Sequence, residues 1–305
     1  MSTLTITPLG FAAGAEVTGI DLRKPLDAAD RLRINEAWLR HLVLVFPRQE
    51  LTPQEQIVFA RNFGALDQHE SQAPQTLHAD HHEILVLTNK LVGGKQSGTH
   101  NSGRNWHTDL SYTTCPAKGA LLHCKEKPPV GGDTMFANLY IAYETLSPTM
   151  RKLLESLEAL HDVSLIRGIE QRDPALVADM KRRNPPVIHP VVRVHPETGR
   201  KSLFVGQRIR GFLGVSDEES QSLLAMLNAH ATSPEFVYRH RWSVGDLLMW
   251  DNRCSCHVAL GDFDQTKPRV MYRCSLQGQE VTGRFATEAA AADRDQMLQA
   301  VAAVS

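Results

Sequence analysis

Apolar and polar residues alternate with two different periods along the chain, and each period predicts its own kind of element. At the N-terminus, LTITPLGFAAGAEVTGIDL contains short apolar alternations broken by glycine, which predicts two strands and a turn. Residues 28–41 carry helix formers with helical apolar spacing. Thr52, Pro53 and Glu55 then supply an N-cap, a first-turn proline and a capping-box partner, and Gly64 suits the end of the helix that they open.

Two more helices are predicted further along the chain. The Ser-Pro pair at 147–148 opens a segment whose apolar residues recur every three or four positions through Leu160. The capping box SDEE at 216–219 opens another helix that runs through Leu227. We expect these helices to pack on the outside of a sheet.

The remaining pattern has period two and hairpin signals. VIHPVVRVHPETGRKSLFV contains the turn Thr198-Gly199, and RWSVGDLLMW contains Gly245-Asp246. Because the strands come in antiparallel pairs without regular βαβ alternation, a jelly-roll or barrel core with flanking helices is favoured over a doubly wound sheet. We expect a single domain over residues 1–286, followed by an alanine-rich tail over 287–305 that forms a terminal helix or stays partly disordered.

Composition excludes several partners. The chain has 33 Lys and Arg residues against 34 Asp and Glu residues, so it lacks the broad positive surface that nucleic acid requires. The chain has no stretch of about 18 uninterrupted apolar residues, and MSTLTITPLG lacks the order of a signal peptide, so a cytoplasmic protein without a membrane partner is expected. Five cysteines without a CxxC pair indicate a reducing compartment, although Cys254 and Cys256 stand close enough to His257 for a soft-metal cluster to remain an alternative.

The stretch NWHTDLSY places His107 and Asp109 two residues apart. On a strand these side chains point the same way, so an imidazole nitrogen and a carboxylate oxygen can reach one point in space. A buried histidine hydrogen-bonded to its neighbour explains the pair more simply. A metal site therefore requires a third ligand.

His257 is the candidate third ligand. In MWDNRCSCHVALGDFD an apolar strand ends at Trp250, the turn-prone Asp251-Asn252 follows, and His257 comes shortly after. Two histidines and one carboxylate occupy one face of an octahedral ion and leave the opposite face open. Non-haem Fe(II) oxygenases use that open face to bind a co-substrate and dioxygen.

Two arginines in PRVMYRCSLQG strengthen this interpretation. Arg269 and Arg273 are four apart on a predicted strand, so both point to the same side as Met271. Buried cations require anionic partners, and the planar guanidinium suits carboxylates and sulfonates. Two anionic ligands beside one metal would satisfy both arginines. A pair of exposed arginines on an edge strand is the alternative.

With these motifs in place, the chain resembles the taurine dioxygenase and 2,4-dichlorophenoxyacetate dioxygenase family of Fe(II)- and 2-oxoglutarate-dependent oxygenases. The resemblance covers nearly the whole chain except the tail. It is carried by LTITPLG…GAEVTGIDL, FARNFGALDQH, NWHTDLSY, GGDTMFAN, HPVVRVHPETGRKSLFV, FVYRHRWSVGDLLMWDNR and HVALGDFDQTKPRVMYR. It implies a mainly β fold with flanking helices around a double-stranded β-helix (jelly-roll, cupin-like) core. Relatives are commonly homo-oligomers, which implies the same here.

The resemblance also implies residue roles at the metal and the co-substrate. His107, Asp109 and His257 would ligate Fe(II), and 2-oxoglutarate would chelate the metal through its 1-carboxylate and 2-keto oxygen. Arg269 would hold the distal carboxylate, helped by the hydroxyl of Thr134 in GGDT, a stretch that read alone is a tight turn entering a strand.

For the substrate, the resemblance implies that Arg273 meets an acidic group, supported by His69 in GALDQH. Three positions depart from the taurine enzyme's pattern: Gln72 replaces an aromatic residue, Gly103 an asparagine and Ile209 a phenylalanine that would help wall the pocket. The departures leave the iron and co-substrate positions unchanged. The smaller Gly103 and Ile209 favour a substrate larger than taurine.

Three aromatic residues match family positions near the site and are equally consistent with core packing: Tyr112, Trp242 and Trp250. The activity implied is hydroxylation of an aliphatic carbon in a small anionic substrate, coupled to decarboxylation of 2-oxoglutarate to succinate and CO2 with consumption of dioxygen. Taurine or a related sulfonate is the first expectation, and an aryloxyalkanoate or alkyl sulfate ester is the alternative. A remote alternative is a non-oxidative zinc-binding β-barrel, which would use both histidines with Cys254 and Cys256.

Overall fold

Antiparallel strands form most of the regular structure. The computed structural model describes residues 4–69, 76–92, 94–97, 99, 102–278 and 281–287. The strands, in chain order, are β1 (Thr5–Pro8), β2 (Ala15–Thr18), β3 (Val43–Phe46), β4 (Leu77–His78), β5 (His81–Thr88), β6 (Leu91–Val92), β7 (Lys95–Gln96), β8 (Gly119–Glu126), β9 (Thr134–Asn138), β10 (Glu158–His161), β11 (Val187–Pro190), β12 (Val192–Val194), β13 (Lys201–Leu203), β14 (Ile209–Phe212), β15 (Val237–His240), β16 (Leu247–Asp251), β17 (Ser255–Ala259), β18 (Val270–Leu276) and β19 (Arg284–Phe285). The α-helices are α1 (Ala28–His41), α2 (Pro53–Arg61), α3 (Leu139–Glu144), α4 (Pro148–Glu155), α5 (Pro174–Arg183) and α6 (Asp217–Ala231).

The larger sheet has eight strands in the order β1-β2-β3-β16-β8-β18-β5-β4. Both of its faces are buried, and strand alternation divides the side chains between two cores. On β16, Leu247 and Met249 point into a core shared with helices α1 and α2, whereas Leu248 and Trp250 point into a core on the opposite face. Trp38 of α1 is fully buried against the first face. The helices therefore cover the outside of the sheet, as expected.

The inner core lies between the larger sheet and a three-stranded sheet of order β15-β9-β17. Phe136 of β9 and Trp242 pack there against Trp250 and Leu122 of the larger sheet. A four-stranded sheet, β14-β10-β11-β19, extends the second layer and packs with α3, α4 and α6 around a separate core. Apart from the parallel pair β2–β3, the strands of both layers pair antiparallel, and two facing layers of this kind form a jelly roll. The prediction of a mainly β fold with flanking helices is confirmed.

Several local predictions are also confirmed. Strands β1 and β2 pair antiparallel at the N-terminus, and α1 has the predicted bounds. Reciprocal capping boxes open α2 at Thr52 and α6 at Ser216. Helix α2 ends at Arg61, so Gly64 lies beyond the last turn. The hairpin around Gly199, whose φ is 69°, joins β12 to β13.

The predicted helix from 147–148 through Leu160 is wrong in its second half. Helix α4 ends at Glu155, and Leu160 lies on β10, which pairs with both β11 and β14. The three-to-four spacing of leucines fits a helix, but Ala159 and His161 face inward with period two and are buried. Two rows of strand hydrogen bonds therefore outweigh the helical pattern.

The hairpin predicted at Gly245-Asp246 is also wrong. Strand β15 belongs to the three-stranded sheet, whereas β16 pairs with β3 and β8 in the larger sheet. The turn, with φ 87° at Gly245, carries the chain from one layer to the other. No helix in the described part of the chain is both long and apolar enough to cross a membrane. The alanine-rich tail predicted over 287–305 lies outside the described residues beyond Thr287.

Candidate active site

His107 and His257 are held side by side by backbone hydrogen bonds. His107 N donates to His257 O at 3.0 Å, and His257 N donates to His107 O at 2.9 Å. His257 lies in the middle of β17, but His107 forms an isolated bridge, and the chain turns immediately after Asp109, where Leu110 has a φ of 53°. The expectation that His107 and Asp109 lie on a regular strand is therefore wrong. Their side chains nevertheless converge.

These three side chains, called the metal triad below, meet at one buried point. His107 Nε2 lies 3.6 Å from Asp109 Oδ1, and His257 Nε2 lies 3.9 Å from Asp109 Oδ2. The ligand atoms of all three residues lie within 4.8 Å of one another. This spacing suits three ligands that each bind one ion at about 2 Å.

Hydrogen bonds around the triad leave the correct atoms free to bind a metal. His107 Nδ1 lies 2.8 Å from Asn105 O, so it carries the ring proton and leaves the Nε2 lone pair available. Asn252 Nδ2 lies 3.4 Å from Asp109 Oδ2, and Trp250 Nε1 donates to Asn252 Oδ1 at 3.1 Å. The Trp250 ring also packs 4.9 Å from the His257 ring. Trp250 thus supports the triad as well as the core.

Burial and charge put the triad in the protonation state that a metal requires. Burial lowers the pKa of His107 and holds the pKa of His257 well below its usual value. Burial raises the pKa of Asp109, but Arg273, His257 and His107 more than offset this, and the pKa lies well below its usual value. At neutral pH the site therefore offers two neutral imidazoles and one carboxylate. The donor set fits a divalent ion with an open face.

A cavity of about 110 Å³ opens beside the triad. Arg269 and Thr134 lie on its wall at one end. Arg269 Nε donates to Gly132 O at 3.1 Å, which leaves the two terminal nitrogens of the guanidinium for a carboxylate. Trp242 Nε1 donates to Thr134 Oγ1 at 3.0 Å, so the Thr134 hydroxyl is free to donate its own hydrogen. This end of the cavity can bind a carboxylate through a charged and a neutral donor.

Gly132 makes room for that arrangement. Its φ of 74° is in the left-handed region, and an added Cβ would lie 3.4 Å from Arg269 Cδ and Nε and 3.1 Å from Pro128 Cγ. Burial, and then the charge of Arg104, lower the pKa of Arg269 to about 10, so it remains a cation. The GGDT stretch therefore leads into strand β9 and also leaves space for the Arg269 side chain.

Arg273 also lines the cavity, where its Nη1 donates to Asp109 Oδ1 at 3.0 Å. His69 is buried and lies near Arg273, but it is not on the cavity wall. Burial, and then the charge of Arg273, lower the pKa of His69 to about 4, and its Nε2 has no hydrogen-bond partner among the described residues. His69 is thus a neutral group adjoining Arg273. Gln72 lies outside the described residues.

The two other departures from the family pattern occupy different places. Gly103 lies on the cavity wall with a φ of 74°, and an added Cβ would lie 3.4 Å from His107 Cε1. Ile209 does not line the main cavity; it lies behind His107, where it lines a smaller cavity with His161. Only Gly103 therefore bears directly on the shape of the main cavity.

Three cavity-lining arginines were not singled out from the sequence: Arg104, Arg172 and Arg208. Arg104 stands just before NWHTD, and its position there was an available signal. Arg172 follows the short 3-10 helix Ile169–Gln171, and Arg208 lies in the loop between β13 and β14. Tyr112 lines the same cavity, and the Arg208 guanidinium carbon is 5.3 Å from its ring centre.

The cysteine alternatives do not fit this geometry. All five cysteines are free thiols. Cys256 points away from His257 into the core around α3 and α6, and burial raises its pKa to about 12. Cys254 belongs with His195 and Asp251 to a separate buried group, called the turn cluster below. The two cysteines therefore do not share a site with His107 and His257.

Comparison with known proteins agrees with this geometry. Residues 5–275 match the family described as "Taurine catabolism dioxygenase TauD, TfdA family". The chain is 36% identical over 282 residues to a (S)-phenoxypropionate/alpha-ketoglutarate-dioxygenase of Sphingobium herbicidovorans, covering 90% of this chain and 94% of the relative. It is 34% identical over 290 residues to an alpha-ketoglutarate-dependent sulfate ester dioxygenase of Pseudomonas putida, covering 92% and 91%.

Among solved structures, the chain is similar to AAD-2 in complex with Mn(II) and N-oxalylglycine. The TM-score is 0.80 at 33% sequence identity, and the alignment covers 92% of this chain and 98% of that chain. The similarity therefore extends over nearly the whole length of both chains and is not limited to a shared motif. The protein is an oxidoreductase that belongs to the TauD/TfdA family of alpha-ketoglutarate-dependent dioxygenases.

Proposed function

We propose that the protein uses Fe(II) and 2-oxoglutarate to hydroxylate an aliphatic carbon of a small anionic organic substrate. The observation that carries this proposal is the convergence of His107, Asp109 and His257 beside a cavity that also exposes Arg269 and Arg273. Bound Fe(II), 2-oxoglutarate and dioxygen together supply the oxidising chemistry, in which 2-oxoglutarate becomes succinate and CO2 and a C–H bond becomes C–OH.

Each group of this chain has a defined task in that reaction. The metal triad holds the ion on one face, and Asn252 orients Asp109 from behind. Arg269 and Thr134 bind the distal carboxylate of 2-oxoglutarate and so fix its orientation at the metal. Arg273 holds the substrate's acidic group close to the triad.

His69 and the aromatic wall complete the substrate site. A neutral His69 beside Arg273 limits the access of water to that guanidinium without cancelling its charge. Trp250 and Tyr112 give the cavity an apolar surface that excludes water from the reacting carbon.

The charges of the cavity select among the candidate substrates. Of the described residues that line it, Asp109 is the one carboxylate, and it is a metal ligand. Taurine carries an ammonium group, which would enter a cavity lined by arginines without an acidic partner of its own. An aryloxyalkanoate or an alkyl sulfate ester has an anionic group and no cation, so the cavity favours these classes over taurine.

The aryloxyalkanoate is the first candidate, because the Sphingobium relative is named for a phenoxypropionate. Hydroxylation of the carbon next to the ether oxygen gives a hemiacetal or hemiketal, which separates into a phenol and a keto or aldehyde acid. A sulfate ester would separate into sulfate and a carbonyl compound by the same reasoning, and the Pseudomonas relative supports it as the second candidate.

A succinate-formation assay tests the proposal. The Fe(II)-loaded protein is given 2-oxoglutarate and, separately, phenoxyacetate, (R)- and (S)-phenoxypropionate, an alkyl sulfate and taurine. We expect substrate-stimulated succinate with an aryloxy acid, together with an equal amount of phenol. Absence of stimulated succinate with every compound, in protein that binds Fe(II), would contradict the proposed substrate classes.

A further inference from the structure

We propose that Arg172, Arg208 and Tyr112 form a second anion-binding subsite, so that the preferred substrate is a dianion with one acidic group at Arg273 and another at this subsite. The inference rests on the proposed function and narrows its substrate class. The second group would be a carboxylate or a sulfate on the side of the substrate away from the reacting carbon.

Arg208 is placed to bind a ligand rather than to stabilise the fold. Its Nη1 donates to Thr108 O at 3.3 Å, and its guanidinium faces Tyr112. Its Nε is buried and has no hydrogen-bond partner among the described residues. Within the described part of the chain, no carboxylate lies within 4.0 Å of its nitrogens. A partly buried guanidinium without a carboxylate partner, on the wall of a cavity, is a favourable binding position for an anion.

Arg172 is similarly available. Its guanidinium contacts Met180 Sδ, at 3.7 Å from Nη1, and thioether sulfur is a weak acceptor. Its terminal nitrogens therefore retain most of their hydrogen-bonding capacity. Tyr112 packs in one small cluster with Met180, the residue that Arg172 contacts, and the Arg208 guanidinium carbon lies 5.3 Å from the Tyr112 ring centre, so both arginines lie beside Tyr112.

The arginines of the cavity divide into two ends. Arg104 lies over Phe263 and near Arg269, at the end that binds the co-substrate. Arg172 and Arg208 instead lie beside Met180 and Tyr112, and Arg273 lies beside Asp109. The second anion subsite is therefore separate from the position proposed for 2-oxoglutarate.

Charge balance favours a substrate with two acidic groups over one with a single acidic group. Among the described lining residues, five arginines face the single carboxylate of Asp109. Fe(II) and 2-oxoglutarate carry equal and opposite charges, so binding both leaves this excess unchanged. One acidic group at Arg273 would leave Arg172 and Arg208 without an anion, whereas a dianion would supply one acidic group to Arg273 and another to Arg172 and Arg208.

The test compares ligands of matched shape. The probes are 2-, 3- and 4-carboxyphenoxyacetate, which vary the separation of the two acids, and the methyl ester of each ring carboxylate, which is a monoanion. Binding to the full chain loaded with Mn(II) and N-oxalylglycine is measured by titration calorimetry. Because a hydrogen bond to a charged group contributes about 1.5–3 kcal/mol, we expect at least one diacid to bind ~10- to 100-fold more tightly than its ester.

Variants locate the effect. Arg208→Gln is expected to remove most of the preference for the diacid while changing ester binding less than ~3-fold. Arg210→Gln is the control, because Arg210 is exposed and pairs with Asp162 outside the cavity. Equal binding of every diacid and its ester to the wild-type chain would overturn the proposal, whatever the variants do. Equal loss of diacid and ester binding in Arg208→Gln would also overturn it.

The proposed function is tested separately in the same experiment. Ester binding that requires Mn(II) and N-oxalylglycine supports the proposed function, even where the diacid shows no preference. Failure of the chain to bind Mn(II) and N-oxalylglycine would instead overturn the proposed function and this inference together.

Discussion

The metal triad and the turn cluster contain nearly the same types of side chain, yet they are built for different purposes. The triad is His107, Asp109 and His257, and the turn cluster is His195, Asp251 and Cys254; the members of both are buried, with ligand atoms within 4.8 Å. The triad faces a cavity. The turn cluster does not, and its polar atoms are already bonded.

In the turn cluster, the carboxylate oxygens of Asp251 and both ring nitrogens of His195 already have hydrogen-bond partners. Asp251 accepts hydrogen bonds from Arg253 N at 2.8 Å, Arg253 Nε at 2.9 Å, Arg253 Nη2 at 2.6 Å and His195 Nε2 at 3.1 Å. His195 Nδ1 accepts from the backbone N–H groups of Glu197 and Thr198 at 3.2 Å. Burial, and then the Asp251 charge, raise the pKa of the Cys254 thiol. The turn cluster therefore cannot offer lone pairs to an ion.

The comparison teaches that ligand type and proximity do not define a metal site. The metal triad holds both imidazole Nε2 atoms beside the cavity, 3.6 and 3.9 Å from the Asp109 oxygens, whereas the turn cluster uses similar side chains to hold the turn between β16 and β17. That turn carries Asn252 and leads to His257. The hydrogen-bonded turn cluster therefore also helps to position the metal triad.

The largest expected effect comes from removing a histidine from each group. His257→Ala should lower Mn(II) affinity more than ~100-fold, because loss of supporting hydrogen bonds alone costs 10- to 100-fold and here a ligand itself is lost. His195→Ala should leave metal stoichiometry unchanged. Titration of free Mn(II) by electron paramagnetic resonance measures both. Loss of metal in His195→Ala with retention in His257→Ala would reverse the assignment.

Removing the arginine of the turn should destabilise the fold. Arg253→Gln leaves the buried Asp251 carboxylate without its main partner, which should lower the free energy of unfolding by about 3 kcal/mol. Chemical denaturation measures this change. Mn(II) affinity should fall less than ~10-fold, and a larger fall would mean that the two groups are not functionally distinct.

The co-substrate end of the cavity gives a kinetic prediction. Arg269→Gln should raise the KM for 2-oxoglutarate by ~10- to 100-fold, because a charged contact of about 1.5–3 kcal/mol is lost. Thr134→Val should raise it only ~5-fold, because a neutral hydrogen bond contributes about 1 kcal/mol. Steady-state succinate formation measures both values. An unchanged KM in Arg269→Gln would show that the distal carboxylate binds elsewhere.

A buried histidine that binds no metal should make the stability of the fold depend on pH. Burial lowers the pKa of His123, whose ring contacts Gln49 O and does not line the cavity, to about 4, so it is neutral in the folded protein below its usual pKa of 6.5. The unfolded chain then binds the extra proton, and stability decreases as pH falls from 6.5 towards 4, by up to ~1.4 kcal/mol per pH unit.

His123→Gln should reduce that slope. His123 Nε2 lies 2.8 Å from Gln49 O, and the glutamine amide can donate to the same carbonyl. Urea denaturation at pH 7, 6 and 5 measures the slope, with and without Mn(II). A slope equal to that of the wild-type chain would contradict the assignment of this acid sensitivity to His123.

The sequence could predict the candidate metal triad but not the proposed second anion subsite, and the reason is physical. His107 and Asp109 are two apart, His257 follows a strand and a turn, and the surrounding motifs resemble a family. Arg172 and Arg208 have no spacing relative to one another that predicts proximity. They reach the same wall only because a loop and a short helix are packed there by the fold.

The dependence on contacts between distant parts of the chain also explains the errors in the predicted secondary structure. The residues through Leu160 fit a helix, and the decision in favour of β10 depends on two partner strands far along the chain. His107 and Asp109 need no strand, because one bridge to His257 and the turn at Leu110 suffice to aim both side chains. Local pattern was reliable where a cap or hairpin is self-contained, as at Thr52 and Gly199.

Side chains on β17 point alternately to the core and to the cavity. The site therefore depends on the number of residues in this segment as well as on which residues they are. Cys256 faces the core around α3 and α6, and its neighbour His257 faces the cavity. Inserting one residue between Asp251 and His257 would turn the imidazole into that core and bring a different side chain to the ion. Engineering of substrate range in this enzyme should therefore keep the number of residues in this segment fixed and vary the walls instead.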